Sequence, residues 1–171
     1  PAPPTPLLAF RNQHDRPFSD ASHSWNFQLP GVHTGMALGD LDNDGDLDVV
    51  ANQLNGPLTL LRNDATAPRI AIRLRGAAAN TRGVGARIRV LNGPVPQSQE
   101  MIAGGRYLSS DDPIRTFAAG PGDTALSLEV TWRSGRVSRI ADARPGRIYE
   151  FVEPSTPPEP RPAPPPPKPW L

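Results

Sequence analysis

There is no cysteine among the 171 residues. That excludes disulfides, thiolate metal sites and thiol catalysis. Lys168 is the only lysine, so the basic character of the chain rests on arginine. Aromatic residues make up 6% of the chain and are not interleaved with basic ones, so a nucleic-acid partner is not expected. No apolar run approaches the roughly 18 residues of a membrane-spanning helix, so no transmembrane segment is expected within this sequence. A net charge of +1 gives no bulk attraction to polyanions. His14, His23 and His33 all fall in the turn-rich first third. Asp20, Ser22, His23 and Ser24 are neighbours in sequence, which is not the geometry of a catalytic triad. The expectation is that the chain is not an enzyme.

Against these absences stands one concentration. Gly39-Asp40-Leu41-Asp42-Asn43-Asp44-Gly45-Asp46-Leu47-Asp48 holds five aspartates within nine residues. Adjacent carboxylates repel one another, and a hard cation among them relieves the repulsion. Ca²⁺ takes six to eight oxygen ligands, and a loop offers them at alternate positions. Counting from Asp40, the odd positions are Asp40, Asp42, Asp44, Asp46 and Asp48, and the sixth is Gly45, suited to a sharp turn. The spacing predicts a nine-residue calcium loop in which Asp40, Asp42, Asp44 and Asp48 ligate through side chains and Asp46 through its carbonyl. The twelfth position is Ala51, so the loop is not an EF-hand. The alternative is a solvated acidic turn without an ion. Because four carboxylates and a carbonyl nearly fill the shell, the ion is expected to be structural. Because free calcium is abundant outside the cytosol, an extracytoplasmic setting is expected: periplasmic, cell-surface or secreted.

The rest of the chain reads as short strands. Residues 35–39 lead into the acidic loop and residues 47–51 leave it. Asn55-Gly56-Pro57 is a turn, and residues 58–63 are the partner strand. Residues 7–12 echo 58–63 about fifty positions earlier, a hint of a blade-sized repeat. From residue 69 onward, apolar and polar residues alternate with period two at 69–75, 86–90 and 126–132, as half-buried strands do, and residues 147–152 close the domain. Residues 97–102 alternate more weakly, and 137–140 return from a Ser134-Gly135 turn. No stretch carries a helical pattern. The fold class is therefore all-β: one propeller-like blade with a calcium loop, then a small β-sandwich or barrel-like domain, with proline-rich extended termini. Trp25, Trp132, Phe117 and Tyr149 are expected in the core.

Of the 23 prolines, ten lie in 154–171. Proline lacks a backbone donor and fixes φ, so this tail is expected to be extended rather than helical or in a central strand. Trp170-Leu171 would be its apolar anchor. The boundaries expected are an N-terminal arm at 1–6, the blade at 7–66, the second β domain at 67–153 and the tail at 154–171. Because the first residue is Pro1, the chain is expected to be a mature form or a fragment.

The residues 39–50 resemble the calcium-binding blades of FG-GAP/VCBS propellers. Asn80, Gly83-Val84-Gly85-Ala86-Arg87-Ile88-Arg89-Val90, Gly104-Gly105-Arg106-Tyr107-Leu108-Ser109-Ser110 and Trp132-Arg133-Ser134-Gly135 resemble the ASPIC/UnbV domain of cartilage-acidic-protein-like sequences. Where that family has Phe-Gly-Leu-Gly, this chain has Phe117-Ala118-Ala119-Gly120. The resemblance implies binding or scaffolding rather than a reaction. The proline-rich ends and an arginine-bearing sheet face point in turn to an accessory subunit that meets other protein subunits, a membrane-associated complex included. Arg69, Arg73, Arg75, Arg87, Arg89, Arg133, Arg136 and Arg139 are the candidates for that face, with cross-strand charge pairing as the alternative role. A calcium-dependent adhesion or carbohydrate- and matrix-binding module is the alternative function.

Overall fold

Period-two alternation dictates strands, and strands are what forms. The computed structural model describes residues 5–13 and 15–155. Its described residues contain strands, bends and turns, with no helix. In chain order the strands are β1 (Thr5–Pro6), β2 (Phe10–Gln13), β3 (Arg16–Asp20), β4 (Pro30–Gly31), β5 (His33–Gly39), β6 (Asp48–Gln53), β7 (Thr59–Leu61) and β8 (Arg69–Arg75). There follow β9 (Arg87–Val90), β10 (Gln97–Glu100), β11 (Gly105–Arg106), β12 (Ser109–Ser110), β13 (Ile114–Ala118), β14 (Leu126–Thr131), β15 (Val137–Ala143) and β16 (Arg147–Val152). The proline-rich stretches 1–4 and 156–171, with the proposed Trp170-Leu171 anchor, lie outside the described residues, as does His14.

The core lies in the second half. One sheet runs β10-β9-β14-β15 and the other β13-β8-β16, with β16 parallel to β8. Ile70, Ile72 and Leu74 share one face of β8; Ile88 and Val90 share one face of β9; Leu128 and Val130 share one face of β14. These faces meet in a single cluster with Met101, Phe117, Leu126, Trp132 and Phe151. Tyr149 packs against it, whereas Trp25 is 47% exposed and does not belong to the core. Neither sheet closes into a barrel among the described residues. One side of the sandwich is instead bridged by glutamines on β10. The Gln97 side chain donates to Ala118 O (2.8 Å) and accepts from Ala118 N (2.9 Å), and Gln99 Nε2 donates to Thr116 O (2.8 Å). Side-chain amides there do what a backbone ladder would do.

The Asn80 to Gly85 motif is a turn that seals this core. The Asn80 side chain accepts from Val84 N (2.8 Å) and donates to Val84 O (2.9 Å). Gly83 has φ +65°, and a Cβ there would stand 3.0 Å from Leu74 and 3.1 Å from Trp132. Both the backbone and the close approach demand glycine.

The arginines proposed for one face are split between the two sheets. Arg69, Arg73 and Arg75 stand on β8, while Arg87, Arg89 and Arg139 belong to the four-stranded sheet. On the latter, Glu129 lies directly across from both Arg89 and Arg139. It bonds Arg89 Nη2 and accepts from Arg139 Nε (2.8 Å), burying its carboxylate between them. At that position cross-strand pairing absorbs the charge.

The first half is thinner. β5, β6 and β7 form an antiparallel meander, with the acidic loop joining β5 to β6 and the Asn55-Gly56 turn joining β6 to β7. β2 pairs with β3, and β1 with β4. Few side chains here are fully buried, and Leu58 and Leu60 are 58% and 60% exposed. The β11–β12 hairpin fastens β5 to the second half. The Ser109 hydroxyl donates to Met36 O (2.5 Å), Leu38 N donates to Asp111 Oδ1 (2.9 Å), and Asp112 N donates to Leu38 O (2.8 Å). Burial alone would raise the Asp111 carboxyl, but the Arg106 guanidinium and the Leu38 amide outweigh it and hold the group below its usual range.

Two outcomes follow from this packing. Leu128→Ala empties a fully buried site and lowers unfolding stability by about 2–5 kcal/mol in denaturant titration. Hydrogen bonds from Arg89 and then Arg139 hold Glu129 below the ordinary glutamate range. A depressed folded-state pKa stabilises above the unfolded value and is lost as pH falls through the folded one. Glu129→Gln therefore flattens the acid limb of the stability–pH curve below about pH 4.5.

Candidate metal centre

Two residues let the acidic loop turn on itself. Asn43 at φ +61° and Gly45 at φ +90° both take the left-handed conformation, which asparagine tolerates and glycine adopts freely. The coil brings Asp40, Asp42 and Asp44 together, with one carboxylate oxygen of each within 4.8 Å of the others. Ca–O bonds of about 2.4 Å place ligands on opposite sides of an ion about 4.8 Å apart. The spread fits a calcium-sized ion, and the donors are all hard oxygens.

The loop is also tied by its own carboxylates. Asp40 accepts from Asp44 N (3.0 Å) and Gly45 N (3.1 Å), and Asp44 accepts from Asp46 N (3.0 Å). Asp42 is exposed, and none of the described hydrogen bonds uses its carboxylate. Asp46 and Asp48 do not join the three-residue group. Asp48, 2% exposed, accepts from Leu41 N (2.9 Å) and Asn63 N (2.8 Å), clamping the start of the loop to the end of β7.

Asp46 is the anomaly. It is 3% exposed, and neither carboxylate oxygen has a hydrogen-bond donor. Its neighbour is Arg69, whose Nη2 stands 3.0 Å from Asp46 Oδ2 and 3.1 Å from Asp44 Oδ2. Burial pushes the Asp46 carboxyl up to about 6; Arg69 opposes the rise, while Asp44 and Asp48 add to it. A buried, under-bonded carboxylate beside three more is a strong local negative field that Arg69 offsets only in part and that a divalent cation would relieve.

Arg69 opens β8 and was not legible as part of the centre, since it lies 25 residues from Asp44. Thr116 on β13 adds a longer contact, its hydroxyl 3.4 Å from Gly45 O. The loop thus rests against the outer face of the β13-β8-β16 sheet. A cleft of about 580 Å³, lined in part by Asp44, Asp64, Thr66, Arg69 and Gly146, opens beside it to solvent. Ser22 is spent elsewhere, its hydroxyl accepting from Ala9 N (2.9 Å).

The second half has relatives. Residues 76–158 match the ASPIC and UnbV family. That stretch begins just after β8, and it contains the Asn80–Gly85 turn, the β11–β12 hairpin and both glutamine bridges. The chain is also similar to cartilage acidic protein 1 of Homo sapiens (28% identical), Mus musculus (29%) and Xenopus tropicalis (27%). Each comparison covers 84% of this chain and 23% of the relative, so the chain spans about a quarter of the length of the curated relatives it matches.

Asp42→Asn isolates the metal question from the folding of the loop. If the loop takes calcium, a hundredfold excess over the Kd is expected to raise stability by about 2.7 kcal/mol, or roughly 5–10 °C in a domain of this size. Asp42→Asn abolishes that gain and leaves the EDTA melting temperature unchanged. Without an ion, a raised Asp46 pKa costs stability as pH rises through it. The calcium-induced gain is accordingly larger at pH 7.5 than at pH 5, read by scanning calorimetry.

Proposed function

We propose that the chain is a non-catalytic, calcium-stabilised structural or accessory subunit that works outside the cytoplasm and mediates protein–protein interaction in a larger assembly. The observation that carries this reading is the acidic loop. Its carboxylates gather at Asp40, Asp42 and Asp44 and continue into a buried, under-bonded Asp46. The loop is wedged between two sheets rather than set over a reactive group. An ion there would be held by the converging carboxylates of Asp40, Asp42 and Asp44; Asp48 and the Asp46 carbonyl are the further ligands the spacing predicts, and Asp48 would share its carboxylate with the amides of Leu41 and Asn63. It would supply charge neutralisation and fasten strand to strand.

The first half is read as an FG-GAP/VCBS-type blade. Support comes from the order strand, acidic loop, strand, turn, strand in β5 to β7. A single blade has too little apolar surface to bury by itself, and Leu58 and Leu60 on it remain exposed, as do Tyr107 and Leu108 in the hairpin that packs on β5. Those residues favour contact with other protein subunits. The extracytoplasmic setting rests on the calcium requirement.

The proline-rich ends act as straps. Glu153 accepts from Ala77 N (2.9 Å) and from the Ser134 hydroxyl (2.6 Å), and Arg136 bonds Pro154 O. Glu153 and Pro154 are therefore tied to the domain.

Native purification in calcium, followed by light scattering on the eluted species, tests the reading. The expected result is a stoichiometric complex with other subunits that dissociates in EDTA. A chain that elutes alone and is retained on immobilised glycans only in calcium would favour the adhesion module instead.

A further inference from the structure

The geometry points to Arg69 as the residue that sets the calcium affinity of the acidic loop and couples ion occupancy to the junction between the meander and the sandwich. This inference rests on the calcium reading above and adds a specific role to it.

Arg69 belongs to β8, in the sheet on which the loop rests, not to the loop itself. Its side chain is 17% exposed. Nη2 contacts both Asp44 and Asp46, and Nη1 bonds Ala65 O in the connector between β7 and β8. The guanidinium is thus a tethered monovalent cation beside a centre suited to a divalent one. Asp44 belongs to both: one of its oxygens is within 4.8 Å of the Asp40 and Asp42 ligand atoms, and its Oδ2 faces Arg69. Asp46 adds a buried carboxylate beside the group, 3% exposed, whose Oδ2 faces Arg69 and whose Oδ1 has no hydrogen-bond partner.

Two consequences follow from Coulomb's law. A fixed positive charge within several ångströms repels Ca²⁺, and across a largely aqueous path the repulsion amounts to about a tenfold loss of affinity. In the ion-free protein the same charge offsets the repulsion among Asp44, Asp46 and Asp48. Arg69 therefore favours the empty site and penalises the filled one. The resulting affinity is weaker than the carboxylate count alone would give. Since Arg69 is anchored in β8, a change in its pairing on ion binding is transmitted to the sandwich.

Arg69→Met keeps the aliphatic stem and removes the charge; Arg69→Lys keeps a charge. Calcium titration by calorimetry is expected to show about tenfold tighter binding for Arg69→Met and near-native binding for Arg69→Lys. Melting in EDTA and in calcium is expected to show a wider gap for Arg69→Met, because the ion-free state loses the compensating charge while the ion-bound state is relieved of a repulsion. If Arg69 merely holds the junction together, the methionine variant melts lower by the same amount in both conditions, with affinity unchanged or weakened. Either result overturns the inference while leaving calcium binding intact. Absence of calcium binding by the native chain overturns the calcium reading and this inference together.

Discussion

Negative charge in a confined loop is the constraint on which the structure turns. Five aspartates in nine residues cannot approach one another without compensation, and the chain supplies it in layers. Backbone amides of Leu41, Asp44, Gly45 and Asn63 serve Asp40 and Asp48. The guanidinium of Arg69 serves Asp44 and Asp46. What is left over, an exposed Asp42 converging with Asp40 and Asp44, is what a divalent cation would take up. Each layer draws in a different part of the chain, so neutralising the loop also fixes where β5, β7 and β8 stand.

The meander owes its position to the sandwich. It has few buried side chains of its own, and it is fastened at two places. One is the loop against β8 and β13. The other is the β11–β12 hairpin against β5, through Ser109, Asp111 and Asp112. Both fastenings are polar and directional, whereas the sandwich is held by a continuous apolar cluster from Ile70 to Phe151. Hydrophobic burial dominates where two complete sheet faces meet. Hydrogen bonds and ion pairs determine orientation where they do not.

Strand alternation was readable wherever one face of a strand meets water. Residues 69–75 and 126–132 match β8 and β14 for that reason. β13 gave no such pattern. Ile114 and Phe117 are both buried, three residues apart and hence on opposite faces, because β13 is covered on both sides. The β11–β12 hairpin was hidden as well, since its two-residue strands are too short for periodicity to register. Trp25 was assigned to the core on residue type alone, and it stands nearly half exposed.

The acidic loop shows the same division. The one-dimensional spacing predicts that the side chains of Asp40, Asp42, Asp44 and Asp48 converge, and three of them, Asp40, Asp42 and Asp44, do so, because a short loop reversing at glycine can place alternate side chains on one side. The sequence also determined the all-β class, through period-two alternation and the lack of any helical stripe. Only the tertiary structure decided that Asp46 turns to Arg69, that Asp48 clamps Asn63, and that the arginines divide between two sheets. These depend on which strands become neighbours across tens of residues. That choice is made by the packing of whole sheet faces, and no local pattern records it.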